Sequence, residues 1–199
     1  MQFSHDTRYL IFRYLILMIF ILSAAPLAAK EAPLPHIISR TEWGAKPPTR
    51  AYGSHKISHI TVHHQGVVTS LNQDAAKRLR TMQAFHQSSK RGFADISYHF
   101  VIDQKGNIYE GRPTHAPGKS KTDYNPAGHL LICLLGDFNV QEPTEAQLKA
   151  LTFVLRWSLQ QWRLPPDTIK GHRDYAHTDC PGKNLYRLLP QLIAALSEN

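Results

Sequence analysis

The chain has 199 residues and a formal charge of +8, from 23 Lys and Arg against 15 Asp and Glu. Its length suits one domain with a sizeable core, and 42% hydrophobic with 10% aromatic content excludes a disordered chain. The basic residues are scattered, a pattern that fits plain solubility or attraction to an anionic partner such as a cell wall. No aromatic-interleaved basic motif points to nucleic acid.

Arg8 and Arg13 precede the apolar stretch YLILMIFIL (residues 14–22), and the small-residue segment SAAPLAAK follows. A positive start, a short apolar core and a small-residue region make the layout of a secretory signal peptide. Residues 1–29 are therefore expected to be removed near Ala28 or Ala29. Residues 30–36, held open by Pro33 and Pro35, read as a linker, and 37–199 as a single domain working outside the cytoplasm, periplasmic or secreted. The rival reading is an uncleaved anchor, because residues 9–29 approach bilayer-spanning length. Arg13, Pro26 and the small residues weigh against it, so no stable membrane insertion is expected after cleavage.

Along the domain, Trp43 reads as a core anchor in a turn-rich start. Residues 56–66 (KISHITVHHQG) alternate and are rich in β-branched side chains, which predicts a strand ending at His63, His64, Gln65 and Gly66. Only one of His63 and His64 can face a given side of that strand. From Ser70 to Gly92 the recurrence of Ala75, Leu79, Met82 and Phe85 or His86 predicts a helix, with Ser70 or Asn72 as N-cap and Gly92 as its stop. His86 near its end reads as packing or as a partner of the helix C-terminus. A hairpin follows, with Ile96, Tyr98, Phe100 and Ile102 on one face and a turn at Lys105, Gly106 and Asn107. The polar stretch 114–128 is expected to be a loop able to rim a cleft, and Leu130–Leu135 a central strand buried on both faces. Thr144 and Gln147 form a capping-box pair that opens a second helix carrying Leu148, Leu151, Val154 or Leu155, and Leu159; Pro165 and Pro166 end it. A short strand, TIKGH, leads to His172, and a last helix is kinked or restarted at Pro190. Strands interleaved with helices give an α/β domain: a central mixed β-sheet flanked by about three helices.

The chemistry concentrates in IKGHRDYAHTDCPG, where His172 and Cys180 share a polar loop. Zinc accepts imidazole nitrogen and thiolate, and a catalytic zinc needs three protein ligands with one position left for water. A strand end with His63 and His64 is the source of a third ligand. Such a site would favour amide or ester hydrolysis. Cys133, inside the apolar run HLLICLLGDF, reads as a free buried thiol in preference to a disulfide partner of Cys180. Another reading makes Cys180 the nucleophile of a Cys-His hydrolase.

The segments SRTEWGA, ITVHHQG, DISYHFVIDQKGNIYEGRP, LLGDF and GHRDYAHTDCPG, in this order over about residues 37–190, resemble the zinc-dependent N-acetylmuramoyl-L-alanine amidases of the peptidoglycan recognition protein and phage lysozyme-amidase type. The resemblance implies that family's fold and a Zn2+ cofactor held by His63, His172 and Cys180. It also implies that Tyr98 and Thr178 position the attacking water or stabilise the tetrahedral intermediate. Substrate contacts are expected at His64, Arg112 and His115, in a monomer whose partner is peptidoglycan or muropeptides. The scissile bond would be the amide between N-acetylmuramic acid and L-alanine. A non-catalytic muropeptide-binding module is the alternative, and Cys180 counts against it because non-catalytic relatives replace this cysteine. A related cytoplasmic branch carries a glutamate base on the central strand where this chain has Cys133, so proton transfer falls to Tyr98.

Overall fold

The structure, a computed structural model, describes residues 36–197. The expected signal peptide and all of the linker except His36 lie outside the described residues. Among the described residues, no helix is long and apolar enough to cross a membrane.

A six-stranded sheet runs through the domain in the order β1-β4-β3-β5-β2-β6. The strands are β1 (Ile37–Ile38), β2 (His59–His64), β3 (Phe100–Ile102), β4 (Ile108–Glu110), β5 (His129–Leu134) and β6 (Ile169–Gly171). Only the β3–β4 hairpin is antiparallel; β1 with β4, β3 with β5, β5 with β2 and β2 with β6 are parallel pairs. The sheet is thus mixed, as the sequence predicts. The neighbouring interior strands β5 and β2 are the longest, and every residue of β5 is buried.

Strand alternation sorts the core into two layers. Ile60, Val62, Leu130, Ile132 and Leu134 face a layer closed by α2 (Glu145–Trp162) through Leu151, Val154 and Leu155, together with the C-terminal helix α4 (Leu189–Ser197). Val101 and Cys133 face the opposite layer, closed by Trp43 and by Leu79 and Met82 of α1 (Ala75–Gln87). A short helix, α3 (Lys183–Tyr186), precedes α4. Truncating a fully buried leucine such as Leu151 to alanine would cost about 2–5 kcal/mol through lost transfer energy and the cavity left behind.

The α2 capping box forms as read: the Thr144 hydroxyl accepts from the Gln147 amide at 3.1 Å and the Gln147 side chain accepts from the Thr144 amide at 3.1 Å. Helix α1 starts later than expected. Residues 70–73 close a turn of their own, with the Gln73 amide on the Ser70 carbonyl at 3.1 Å, so Asp74 becomes the N-cap and accepts from the Lys77 amide at 2.9 Å. The hairpin strands are short, and Tyr98 precedes β3 instead of lying in it. Its carbonyl is taken by the Arg112 amide at 2.7 Å, across a close approach that Gly111 makes possible. Both cysteines are free thiols.

Candidate metal centre

Parallel pairing places Val62 opposite Gly171, so the next residues, His63 at the end of β2 and His172 immediately after β6, emerge side by side at the carboxyl ends of their strands. Their rings lie 4.5 Å apart, centre to centre. The loop after His172 then returns Cys180 to the same point. That return is anchored by Asp174, which accepts from the Gly171 amide at 2.7 Å and from the Tyr186 hydroxyl at 2.5 Å. Arg173 closes it, its amide on the Cys180 carbonyl at 2.9 Å and its guanidinium on the Asp179 carbonyl at 2.7 Å.

One ligand atom from each of His63, His172 and Cys180 falls within 4.8 Å of the others, forming a group that could hold a metal ion. The Cys180 Sγ stands 3.5 Å from His63 Nδ1. Tetrahedral zinc with Zn–S near 2.3 Å and Zn–N near 2.0 Å separates such a pair by about 3.5 Å. The sulfur also lies 3.4 Å from the His64 amide, which donates to it. His63 Nε2 is buried without a hydrogen-bond partner. The donor types and the Cys180–His63 Nδ1 spacing fit zinc.

Electrostatics fit as well. Burial first, then neighbouring imidazoles, hold His63 well below the usual histidine range, and burial lowers His172 to about 4. Both rings are neutral at pH 7, the state that ligates metal. Burial pushes the Cys180 thiol up to about 12. A thiol used as a free nucleophile needs the opposite shift, so burial of Cys180 counts against the Cys-His hydrolase reading, whereas a cation at the cluster would convert the thiol to a ligand thiolate.

The cluster forms the floor of a cleft of about 230 Å3 that Tyr98 and Thr178 also line. The rings of Tyr98 and His63 are 5.3 Å apart. Burial, followed by the thiols of Cys133 and Cys180, holds the Tyr98 phenol well above its usual range, so it remains a neutral hydrogen-bond donor. The Thr178 hydroxyl accepts from the Cys180 amide at 3.2 Å and so fixes the turn that presents the sulfur.

The expected substrate contacts divide. His64 lines the cleft, although its ring turns to the opposite face of β2, where Nδ1 accepts from the Phe138 amide at 3.2 Å. Arg112 and His115 are not brought to the cleft. The Arg112 guanidinium is buried and spends its donors on the carbonyls of Ile96, Asp95 and Pro117 at 2.8, 3.0 and 3.2 Å. His115 is exposed and stands edge-on to Tyr52 at 6.2 Å. Arg91, Phe93 and His86 line the cleft without having been singled out for it. Their only signal was position, between the end of α1 and Tyr98. His86 does pack: its Nδ1 accepts from the Ser97 amide at 3.1 Å. Beyond the shared residues Gln65, His86, Arg91 and Tyr98, an adjoining hollow of about 310 Å3 continues along α1 past Met82 and Phe85.

Comparison with known proteins places this architecture. A family model described as N-acetylmuramoyl-L-alanine amidase (Amidase_2) matches residues 53–183. Peptidoglycan-recognition protein SC2 of Drosophila melanogaster is 33% identical over 153 residues, covering 75% of this chain and 82% of its own. The crystal structure of Drosophila peptidoglycan recognition protein SD superposes with a TM-score of 0.72 at 32% identity, over 79% of this chain and 94% of that one. The N-acetylmuramoyl-L-alanine amidase LysC from Clostridium intestinale superposes with a TM-score of 0.68 at 25% identity, over 83% and 99%. With a family match that runs from before β2 through Cys180 and relatives above 30% identity among the peptidoglycan recognition proteins, the chain belongs to the Amidase_2 family.

Proposed function

We propose that this protein is an exported, zinc-dependent N-acetylmuramoyl-L-alanine amidase that hydrolyses the amide joining N-acetylmuramic acid to the L-alanine of peptidoglycan stem peptides. The observation that carries the reading is the convergence of His63, His172 and Cys180 on one point of a cleft floor, beside the neutral phenol of Tyr98. Likeness to the LysC amidase supports the reaction class.

His63, His172 and Cys180 would hold the metal. When bound, zinc supplies Lewis-acid polarisation of the carbonyl and a water nucleophile available near neutral pH. The neutral Tyr98 hydroxyl donates a hydrogen bond toward the carbonyl oxygen as negative charge grows there. Thr178 keeps the Cys180 turn in place through the Cys180 amide. The His64 amide, directed at the sulfur, stabilises its charge. Along the cleft, Arg91, Lys119 and Lys121 present positive charge suited to the carboxylates of a stem peptide.

Incubation of purified sacculi with the protein, followed by mass spectrometry, tests the reading. Expected products are free peptides that begin with L-alanine and glycan strands that keep their lactyl groups. Retention of intact muropeptides without release would instead identify a binding module. Release that survives chelation and fails after thiol alkylation would identify Cys180 as a nucleophile.

A further inference from the structure

An imidazole that ligates metal through one nitrogen normally has the other held by a hydrogen-bond acceptor, which fixes both the tautomer and the ring plane. The two candidate ligand histidines differ in this respect. His63 Nε2 has no partner. His172 Nε2 lies 2.9 Å from the Thr122 hydroxyl, which comes from the 114–128 loop and not from the sheet. Thr122 is itself oriented: its hydroxyl is 2.7 Å from the Ser120 hydroxyl, and its amide donates to that same Ser120 oxygen at 3.2 Å. The Ser120–Thr122 hydroxyl bond can run in either direction; in the arrangement where Thr122 donates to Ser120, a lone pair of Thr122 Oγ1 is left to accept from His172 Nε2–H, and Nδ1 keeps its lone pair for a metal. The same loop also packs against the ring, since Tyr124 lies 5.1 Å from His172 at a tilt of 54° and stacks on Tyr175 at 5.7 Å.

We propose that Thr122, oriented by Ser120, is the positioning residue for the metal ligand His172, holding it in the Nε2–H tautomer so that Nδ1 faces the ion. The inference rests on the reading of the cluster as a metal centre. It assigns to the cleft-rimming loop a share in holding the metal as well as in lining the substrate path. A hydroxyl, unlike a carboxylate, adds no charge beside the ring, so its effect is orientation rather than a gain in ligand basicity.

The test compares Thr122→Val, which keeps the shape and removes the hydroxyl, with Thr122→Ser, which keeps the hydroxyl. Zinc affinity is measured by competition with a chromophoric chelator, and the visible absorption bands of the cobalt(II)-loaded protein report ligand geometry. The valine variant is expected to bind zinc about 10-fold more weakly with altered cobalt bands, and the serine variant to recover most of that loss. Unfolding temperatures of the metal-free proteins, equal across the set, separate this effect from damage to the fold. Wild-type zinc affinity and cobalt bands in the valine variant would overturn the proposal, as would a serine variant as weak as the valine one. Absence of zinc binding by the wild-type protein would overturn the reading of the metal centre itself.

Discussion

At the scale of the residue, the deciding choice is between His63 and His64. Alternation along β2 turns His63 toward Cys180 and His172, while His64 turns toward Phe138, so two adjacent histidines take unrelated roles. Removing a ligand leaves two protein donors, one fewer than a catalytic zinc needs. Metal analysis and turnover should therefore show both zinc and hydrolysis lost in Cys180→Ala and in His63→Ala; stoichiometric zinc with wild-type turnover in either variant would contradict the assignment. Tyr98 is different, because its phenol stays neutral and, on the proposed reading, acts on the substrate carbonyl instead of the metal. Tyr98→Phe is expected to keep its zinc and to lose roughly 10²-fold in kcat, the usual cost of one oxyanion donor. Zinc loss in this variant would show that the hydroxyl acts on the metal site and not on the substrate.

Elements enter through what they hold in place. Tyr98 lies in irregular chain, positioned by a backbone crossing at Gly111, where a β-carbon would collide with the Tyr98 carbonyl oxygen. Gly111→Ala should lower stability by about 1–3 kcal/mol through overpacking and reduce turnover by displacing Tyr98, with zinc content unchanged. Chemical denaturation alongside metal analysis separates these effects. At the far side of the sheet, α2 ends on Arg163 in the left-handed conformation, φ 52°, a strained setting for a side chain. Arg163→Gly should raise stability by about 1 kcal/mol and leave turnover unchanged. The element scale also shows what sequence patterns can carry. β2, β5, the capping box of α2 and the break before α4 follow from periodicity and cap chemistry. β1 escapes because Ile37–Ile38 is too short to show a period. The N-cap of α1 moves to Asp74 because Ser70 is consumed by a turn.

For the whole molecule, the candidate cluster was legible because His172, Cys180 and the His63–His64 pair sit at strand ends and in a loop whose residue types suit zinc, while the choice of His63 over His64 came from the family resemblance. For Arg112, an expected substrate contact, the sequence could not show that carbonyls 95, 96 and 117 take its guanidinium donors. The fold also sets a pH limit. His99 is fully buried, cross-linking the Leu131 amide at 2.8 Å and the Ala116 carbonyl at 3.0 Å, and burial lowers it to about 3; His86 is lowered to about 4. Between these values and the ordinary 6.5, the unfolded chain binds protons that the folded chain does not, so the contribution of these two rings is fully present above pH 6.5 and is lost as pH drops toward 4. At pH 5 a histidine held as low as His99 accounts for roughly 2 kcal/mol of that loss. Denaturation midpoints measured from pH 7 to 4.5 should decline steadily; a pH-independent midpoint would contradict the burial of these rings. The central claim, that three ligands on the cleft floor bind the zinc that drives amide hydrolysis, is tested most directly by returning zinc to the chelated protein while free stem peptide is measured by mass spectrometry. The account predicts no release from the metal-free protein and activity that rises linearly to a plateau at one equivalent of zinc; full release without metal would contradict it.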